Sequence, residues 1–343
     1  MKLAELKQAS EQYWDSLREQ GCDNYLETNP DWHKFINLVS EKTGERMVDK
    51  WIENARRNKG LIRKWGPPTS LLDRGRSQAA IVVGAGPSLK KNIKALTEVA
   101  GPIKKDRLFT VIACSSCLRY CLDNGVWPDY VVAVDGSAGI AKYFKPIKKE
   151  EAERLTLISN CFTAPEALAL WDGPMFFLPI GIADKRVDKE YREIHGMTEL
   201  FKEGEFPATG CQFNFGVLFA YFILGCRAEI FIGSDLSFGN QYYADKPDHK
   251  DTLEKINAIN IFGEEVQTTT TLYQLKLGLE HWTGKMPRCA WINATEGGIL
   301  GVSIRTGYLP WIKQMTLKES IDQVRWAAAE AERVNKTNEV LNQ

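Results

Sequence analysis

The sequence predicts an α/β fold of the Rossmann-like kind: a mostly parallel sheet with flanking helices, preceded by an N-terminal helical segment and closed by a C-terminal helix. Three observations predict it. From residue 78 onward, short apolar runs recur: "AAIVV", "LFTVIA", "YVVAV", "LTLIS", "MFFLPI" and "AEIFIG". They are continuous rather than alternating, as strands covered on both faces require. The stretches between the first runs, "SLKKNIKALTEVA" and "SSCLRYCLDNG", are helix-compatible, and strand–helix–strand repetition builds a parallel sheet through right-handed crossovers. The first run also ends in Gly84-Ala85-Gly86-Pro87-Ser88, a small corner that turns strand into helix.

Residues 1–76 have a different texture. "LAELKQASEQYWDSLREQ" and "DWHKFINLVSEKTGERMVDKWIENARRNKGLIRKW" carry apolar and aromatic residues at helical spacing among many charges. Pro67-Pro68 ends that pattern. The segment is expected to pack on the main domain, because its Trp and Phe side chains need cover. Residues 77–315 form the expected α/β catalytic domain. From Thr316, "TLKESIDQVRWAAAEAERVNKTNEV" opens with a capping box, Thr316 with Glu319, so 316–343 reads as a long helix.

Bulk properties exclude several classes. Lys plus Arg and Asp plus Glu are 44 each, so no global field draws nucleic acid or an anionic membrane. No apolar run approaches the roughly 18 residues that would span a bilayer. The first residues are charged throughout, so no secretory leader is expected. Eight cysteines at irregular spacing in 343 residues read as reduced thiols and a cytoplasmic setting. Cys114, Cys117 and Cys121 share one helix face but lack a fourth ligand for a structural zinc, so they read as core.

The chemistry gathers at strand ends. Gly84 and Gly86 permit close approach to backbone amides, and Ser88 stands at a helix start, where amides and dipole favour an anion. The same corner reads equally as a plain turn. Its spacing matches neither the dinucleotide fingerprint nor a Walker-type loop. Ser115 and Ser116 end the second strand, and Asp135-Gly136 end the third. Ligands of open parallel sheets collect at these carboxyl edges. Asp135 suits a ribose hydroxyl or a divalent cation, ahead of the alternative of a helix cap or loop acid. Asn214, on an otherwise apolar helix expected to open at Thr209-Gly210, is a core hydrogen bonder or a ligand contact. Gly233-Ser234-Asp235 is another strand-end acid, and His249 follows in a polar loop. In "CAWINATEGGILGV", Asn293 and Glu296 precede two glycines, as a functional loop or a turn.

Taken in order, "IVVGAGPSLKKNI", "NGVWPDYVVAVDG", "LGCRAEIFIGSDLSF" and "WINATEGGILG" resemble the signatures of the MptE-like group over about residues 50 to 310. That group includes archaeal 6-hydroxymethylpterin diphosphokinases and the Maf glycosyltransferases of bacterial flagellin. The resemblance implies a Rossmann-like fold and a nucleotide-sugar donor or ATP as ligand, with Mg2+ or Mn2+ as a candidate ion. It implies phosphate contacts at Gly84, Gly86 and Ser88, polar contacts at Asp135 and Asn214, and a site role for Asp235 with His249. "WIENARRNKGLIRKW" and "INATEGG" are more similar to the Maf branch, whereas the large further domains of flagellar Maf proteins have no counterpart here.

The expectation is therefore a nucleotide-dependent transferase, foremost a Maf-like glycosyltransferase. Ser88 and the strand-end amides would hold the donor phosphate, and Asp135 or Asp235 would act as general base or position a cation. A diphosphokinase and a non-catalytic nucleotide-binding module are the alternatives. The acceptor is not identified, and homo-oligomerisation is left open.

Overall fold

A computed structural model describes residues 32–103, 106–178, 210–238, 244, 255–286, 288–304 and 307–341. Among them, eight strands form one sheet in the order β12-β9-β6-β1-β2-β3-β4-β5, and every neighbouring pair is parallel. They are β1 (Ala79–Val83), β2 (Phe109–Cys114), β3 (Tyr130–Ala133), β4 (Thr156–Asn160), β5 (Met175–Leu178), β6 (Ala228–Ile232), β9 (Ala290–Asn293) and β12 (Ile312–Gln314). The chain runs outward from β1 to β5, then returns to the other side of β1 as β6. Strand order thus reverses between β1 and β6, which opens a crevice at their carboxyl ends.

The continuous apolar runs form these strands because both faces are covered. All five residues of β1 and all six of β2 are buried. On one face lies α6 (Gln212–Phe222), whose Gly216 brings the helix onto Val82, Ile112 and Val132. α2 (Leu89–Leu96) and α8 (Leu317–Leu341) pack together, with α8 also against β6. α3 (Ser115–Asp123) follows β2 directly. Short helices α4 (Lys149–Ala152) and α5 (Pro165–Leu168) flank β4 in sequence, and α7 (Thr270–Lys285) precedes β9. The Thr316–Glu319 box forms as expected, with Glu319 accepting from Thr316 N at 2.9 Å and Thr316 Oγ1 accepting from Glu319 N at 3.2 Å. Among the described residues no helix is long and apolar enough to cross a membrane.

Three findings depart from the sequence reading or add to it. α6 begins at Gln212, two residues beyond Gly210, because Gly210 takes a left-handed φ of 72° and Cys211 supplies the cap, its Sγ accepting from Asn214 N. Two antiparallel hairpins, β7–β8 (Lys255–Ile259, Glu265–Thr269) and β10–β11 (Val302–Ser303, Gly307–Tyr308), stand apart from the main sheet. The N-terminal stretch from Trp32 to Trp65 is one helix, α1. The earlier helical stretch, at residues 3–20, and His249 lie outside the described residues.

α1 is tied to the sheet's carboxyl edge by two asparagines one turn apart. Asn54 Nδ2 donates to Gly136 O and Phe162 O, both at 2.9 Å. Asn58 Nδ2 donates to Cys161 O at 2.9 Å and Thr163 O at 2.8 Å. Val48, Ala55 and Ile62, at heptad spacing, bury the same side of the helix in a core with Leu118, Val131 and Phe177. Gly66, in a left-handed conformation at φ 67°, ends the helix just before the two prolines.

Two expectations follow. Asn54→Ala strands two buried carbonyls and should cost about 2–3 kcal/mol in urea unfolding; an unchanged midpoint would show that the clasp contributes nothing. In β6, the Glu229 carboxyl is wholly buried with no hydrogen-bond partner among the described residues, and burial holds it well above the usual carboxylate range despite the charge of Arg227. A raised folded-state value penalises the folded protein once pH rises above the unfolded value near 4.3, by up to about 1.4 kcal/mol per pH unit. Glu229→Gln and wild type should therefore match in stability near pH 4. The variant should lead at pH 8, and equal midpoints at both values would contradict a neutral Glu229.

Candidate functional site

The crevice between β1 and β6 is built by close backbone approach. Gly84 N donates to Ile232 O at 2.8 Å and Gly86 N to Gly233 O at 2.9 Å. A Cβ at Gly84 would lie 2.3 Å from Gly233 O, and one at Gly86 would lie 2.0 Å from Asp235 Oδ2. Both glycines are therefore required by contacts inside the protein, the second by a carboxylate. Asp235 sits over the N-terminus of α2: Ser88 Oγ donates to its Oδ2 at 2.7 Å, and Ser88 N approaches both carboxylate oxygens at 3.3 Å. The amide and hydroxyl expected to hold a phosphate hold Asp235 in this structure.

The loop after β6 aims that carboxylate. Gly233 (φ 61°) and Leu236 (φ 52°) both take left-handed backbone, a strained choice for leucine that costs about 1 kcal/mol. Ile299 N donates to Asp235 O at 2.9 Å, and Thr268 Oγ1, from the β7–β8 hairpin, donates to Leu236 O at 2.6 Å. Burial pushes the Asp235 carboxyl up to about 6, against the lowering effect of the Ser88 hydrogen bonds and the Lys91 charge. Desolvation wins over helix terminus and hydroxyl together. The group titrates near neutrality, where a proton acceptor is most useful.

A cavity of about 620 Å³ opens along this edge, within the usual range for small-molecule sites. Gly84, Gly86, Gly233, Ser234 and Asp235 form its floor at β1 and β6, with Ser116, Asp135 and Gly136 at the ends of β2 and β3. Gln212 and Phe213 of α6 and Leu275 of α7 line one side; Arg46, Met47 and Trp51 of α1, with Tyr143, line another. Asp135 is exposed, and its Oδ1 accepts from Ser137 N at 2.8 Å, so the acid turns its own loop while facing the cavity. Ser234 Oγ is buried without a hydrogen-bond partner among the described residues.

The other expected residues do other work. Ser115 Oγ donates to Gln212 Oε1 at 2.9 Å. Asn214 Nδ2 donates to Leu275 O at 3.1 Å, tying α6 to α7. Asn293 Nδ2 donates to Leu300 O and Gln314 Oε1. Glu296 accepts from Asn92 Nδ2 at 2.8 Å and from Leu317 N at 3.1 Å, fastening α2 to the start of α8. These four, like Ser88, are absent from the cavity lining. Cys114, Cys117 and Cys121 are buried core, as expected.

Among the described residues no three His, Cys, Asp or Glu side chains gather as a cation site. Among the described residues, Asp135 has no companion ligands with which to hold a resident Mg2+ or Mn2+. Sequence reasoning missed Arg46, Met47, Trp51, Tyr143 and Gln212, since nothing in an amphipathic helix marks which residues overhang a distant strand end.

The fold is similar to that of the Maf glycosyltransferase from Magnetospirillum magneticum AMB-1, with a TM-score of 0.56 and 18% identity, over 82% of this chain and 42% of that one. An uncharacterised protein of Treponema pallidum (strain Nichols) is 29% identical over 85 residues, 25% of this chain and 37% of that protein. The chain thus spans less than half the length of each. Residues 52–241, more than half of the chain, match the family model described as 6-hydroxymethylpterin diphosphokinase MptE-like. The chain belongs to the MptE-like family.

Proposed function

We propose that the protein is a nucleotide-dependent transferase, acting as a glycosyltransferase on a nucleotide-activated sugar. The observation that carries this reading is Asp235: a buried carboxyl near neutral titration, at the strand-order reversal, on the floor of a ligand-sized cavity. The fold likeness to a Maf glycosyltransferase supports the choice of reaction.

In this reading the acceptor hydroxyl lies against Asp235. Its proton passes to a carboxylate oxygen as the acceptor oxygen attacks the anomeric carbon. The bond from that carbon to the donor's phosphate oxygen breaks, and the electron pair leaves with the nucleotide. Ser88 keeps the carboxylate oriented, since its hydroxyl and amide both donate to it. Asp135, exposed at the end of β3, faces the ligand where ribose hydroxyls can be accepted. A reducing, cytoplasmic setting suits these cysteines, which among the described residues are all thiols.

The family description favours a second reading, in which pyrophosphate moves from ATP to a hydroxymethyl heterocycle. The products separate the two: AMP from ATP in that case, a nucleoside mono- or diphosphate from a sugar nucleotide in the first.

The test is turnover with sugar nucleotides. A general base must be ionised, so wild-type activity should rise with pH through about 6 and level above it. Asp235→Asn should lower kcat by about 10²- to 10⁴-fold and abolish that limb; a variant with full kcat would remove Asp235 from the chemistry. Ser88→Ala removes a bond that favours the ionised form, so its limb should move to higher pH, and a pH profile identical to wild type would disconnect Ser88 from the base.

A further inference from the structure

We infer that Arg46, on helix α1, binds the phosphate of the nucleotide ligand, an inference that rests on the transferase reading above. A nucleotide brings a strongly negative group, which a buried site must meet with donors or positive charge. The strand-end corner is poorly placed to do so. Gly84 N, Gly86 N and the Ser88 amide and hydroxyl already donate within the chain, and a carboxylate already stands at the N-terminus of α2. A phosphate there would face the Asp235 carboxylate.

The charge inventory of the cavity points elsewhere. Its described lining contains two acids, Asp135 and Asp235, and one cation, Arg46. The nearby Lys91 does not line it, and its Nζ donates to Glu296 O at 3.1 Å. Arg46 is exposed, and no ion pair joins it to another described residue. Its guanidinium can present two parallel N–H groups to phosphate oxygens.

Arg46 is carried on a fixed support. Asn54 and Asn58 hold α1 to the loops after β3 and β4, and Val48, two residues on, is already core. Met47 and Trp51 put apolar and aromatic surface on the same wall, with the Trp51 indole packed against the backbone of Gly136. A second feature asks for a ligand from the floor: the buried Ser234 hydroxyl lines the cavity and has no partner among the described residues. The residues matched by the family model begin at 52, so Arg46 is a contribution of this chain outside the matched segment.

The experiment compares wild type, Arg46→Gln and Arg46→Lys by calorimetry, using CMP, UDP, GDP and ATP, the parent nucleosides, and pyrophosphate alone. The wild type should bind at least one nucleotide, and pyrophosphate weakly. Arg46→Gln should lose at least about tenfold in nucleotide affinity, and lose pyrophosphate binding, while the nucleoside binds as before. Arg46→Lys should recover part of the loss, because it restores charge without the fork. A urea midpoint equal to wild type shows that the exposed substitution leaves the fold intact. Nucleotide affinity unchanged in Arg46→Gln overturns this assignment and leaves the transferase reading standing. Loss of nucleoside and nucleotide alike also overturns it, by showing that Arg46 shapes the wall. A wild type that binds no nucleotide and no pyrophosphate removes both.

Discussion

The contact between Ser88 and Asp235 is the constraint on which the rest of the site depends. It joins β1 to β6 where strand order reverses, and it fills the N-terminus of α2 with a carboxylate from the protein itself. A helix terminus and a hydroxyl both favour the ionised acid, by roughly 1 kcal/mol or more each. Burial nevertheless dominates, and the carboxyl moves up to about 6, a net cost to the charged form of about 3 kcal/mol. The surroundings show what holding it there demands. Gly86 leaves no room for a side chain, Gly298 would bring a Cβ within 2.3 Å of Asp235 O, and Leu236 accepts a left-handed backbone.

That arrangement also explains why a glycine-rich corner is ambiguous when read alone. Glycine permits a backbone to come close to something, and the sequence does not say to what. At Gly84 and Gly86 the close partners are the backbone of Gly233 and the carboxylate of Asp235. The strands themselves were legible, because a parallel sheet covered on both faces selects continuous apolar runs, and β1 and β2 are buried at every residue. The capping box at Thr316 was legible because its chemistry is local.

What was illegible depends on distant partners. Asp235 and Glu296 look alike in sequence, each an acid after a short strand and close to glycine. Backbone geometry separates them, since Glu296 turns toward Asn92 and Leu317 while Asp235 turns into the cavity. Asn54 and Asn58 stand among charges in "WIENARRNKG" with nothing local to single them out, yet both are buried and hold four carbonyls. The β7–β8 hairpin alternates in pattern as "KINAI" and "EVQTT", and its turn is closed by Asn260, whose Oδ1 accepts from Phe262 N and Glu264 N. That alternation was the available signal.

The described lining of the cavity is electrically lopsided, and this has a chemical use. Among the described lining residues both acids belong to strand ends and the cation, Arg46, belongs to α1, an arrangement that favours a dipolar ligand with its negative group toward the helix. A base that must accept a proton works best away from the leaving phosphate, because repulsion from a nearby phosphate would hold Asp235 protonated and idle. Binding the phosphate on α1 would keep the two negative groups apart until the proton has moved. The asparagine clasp then matters to chemistry as well as to stability, because the loops it grips lead from β3 and β4 and include Gly136, the immediate neighbour of Asp135. The helix that reads in sequence as a preface thus supplies one wall and, with it, the charge the strand ends lack.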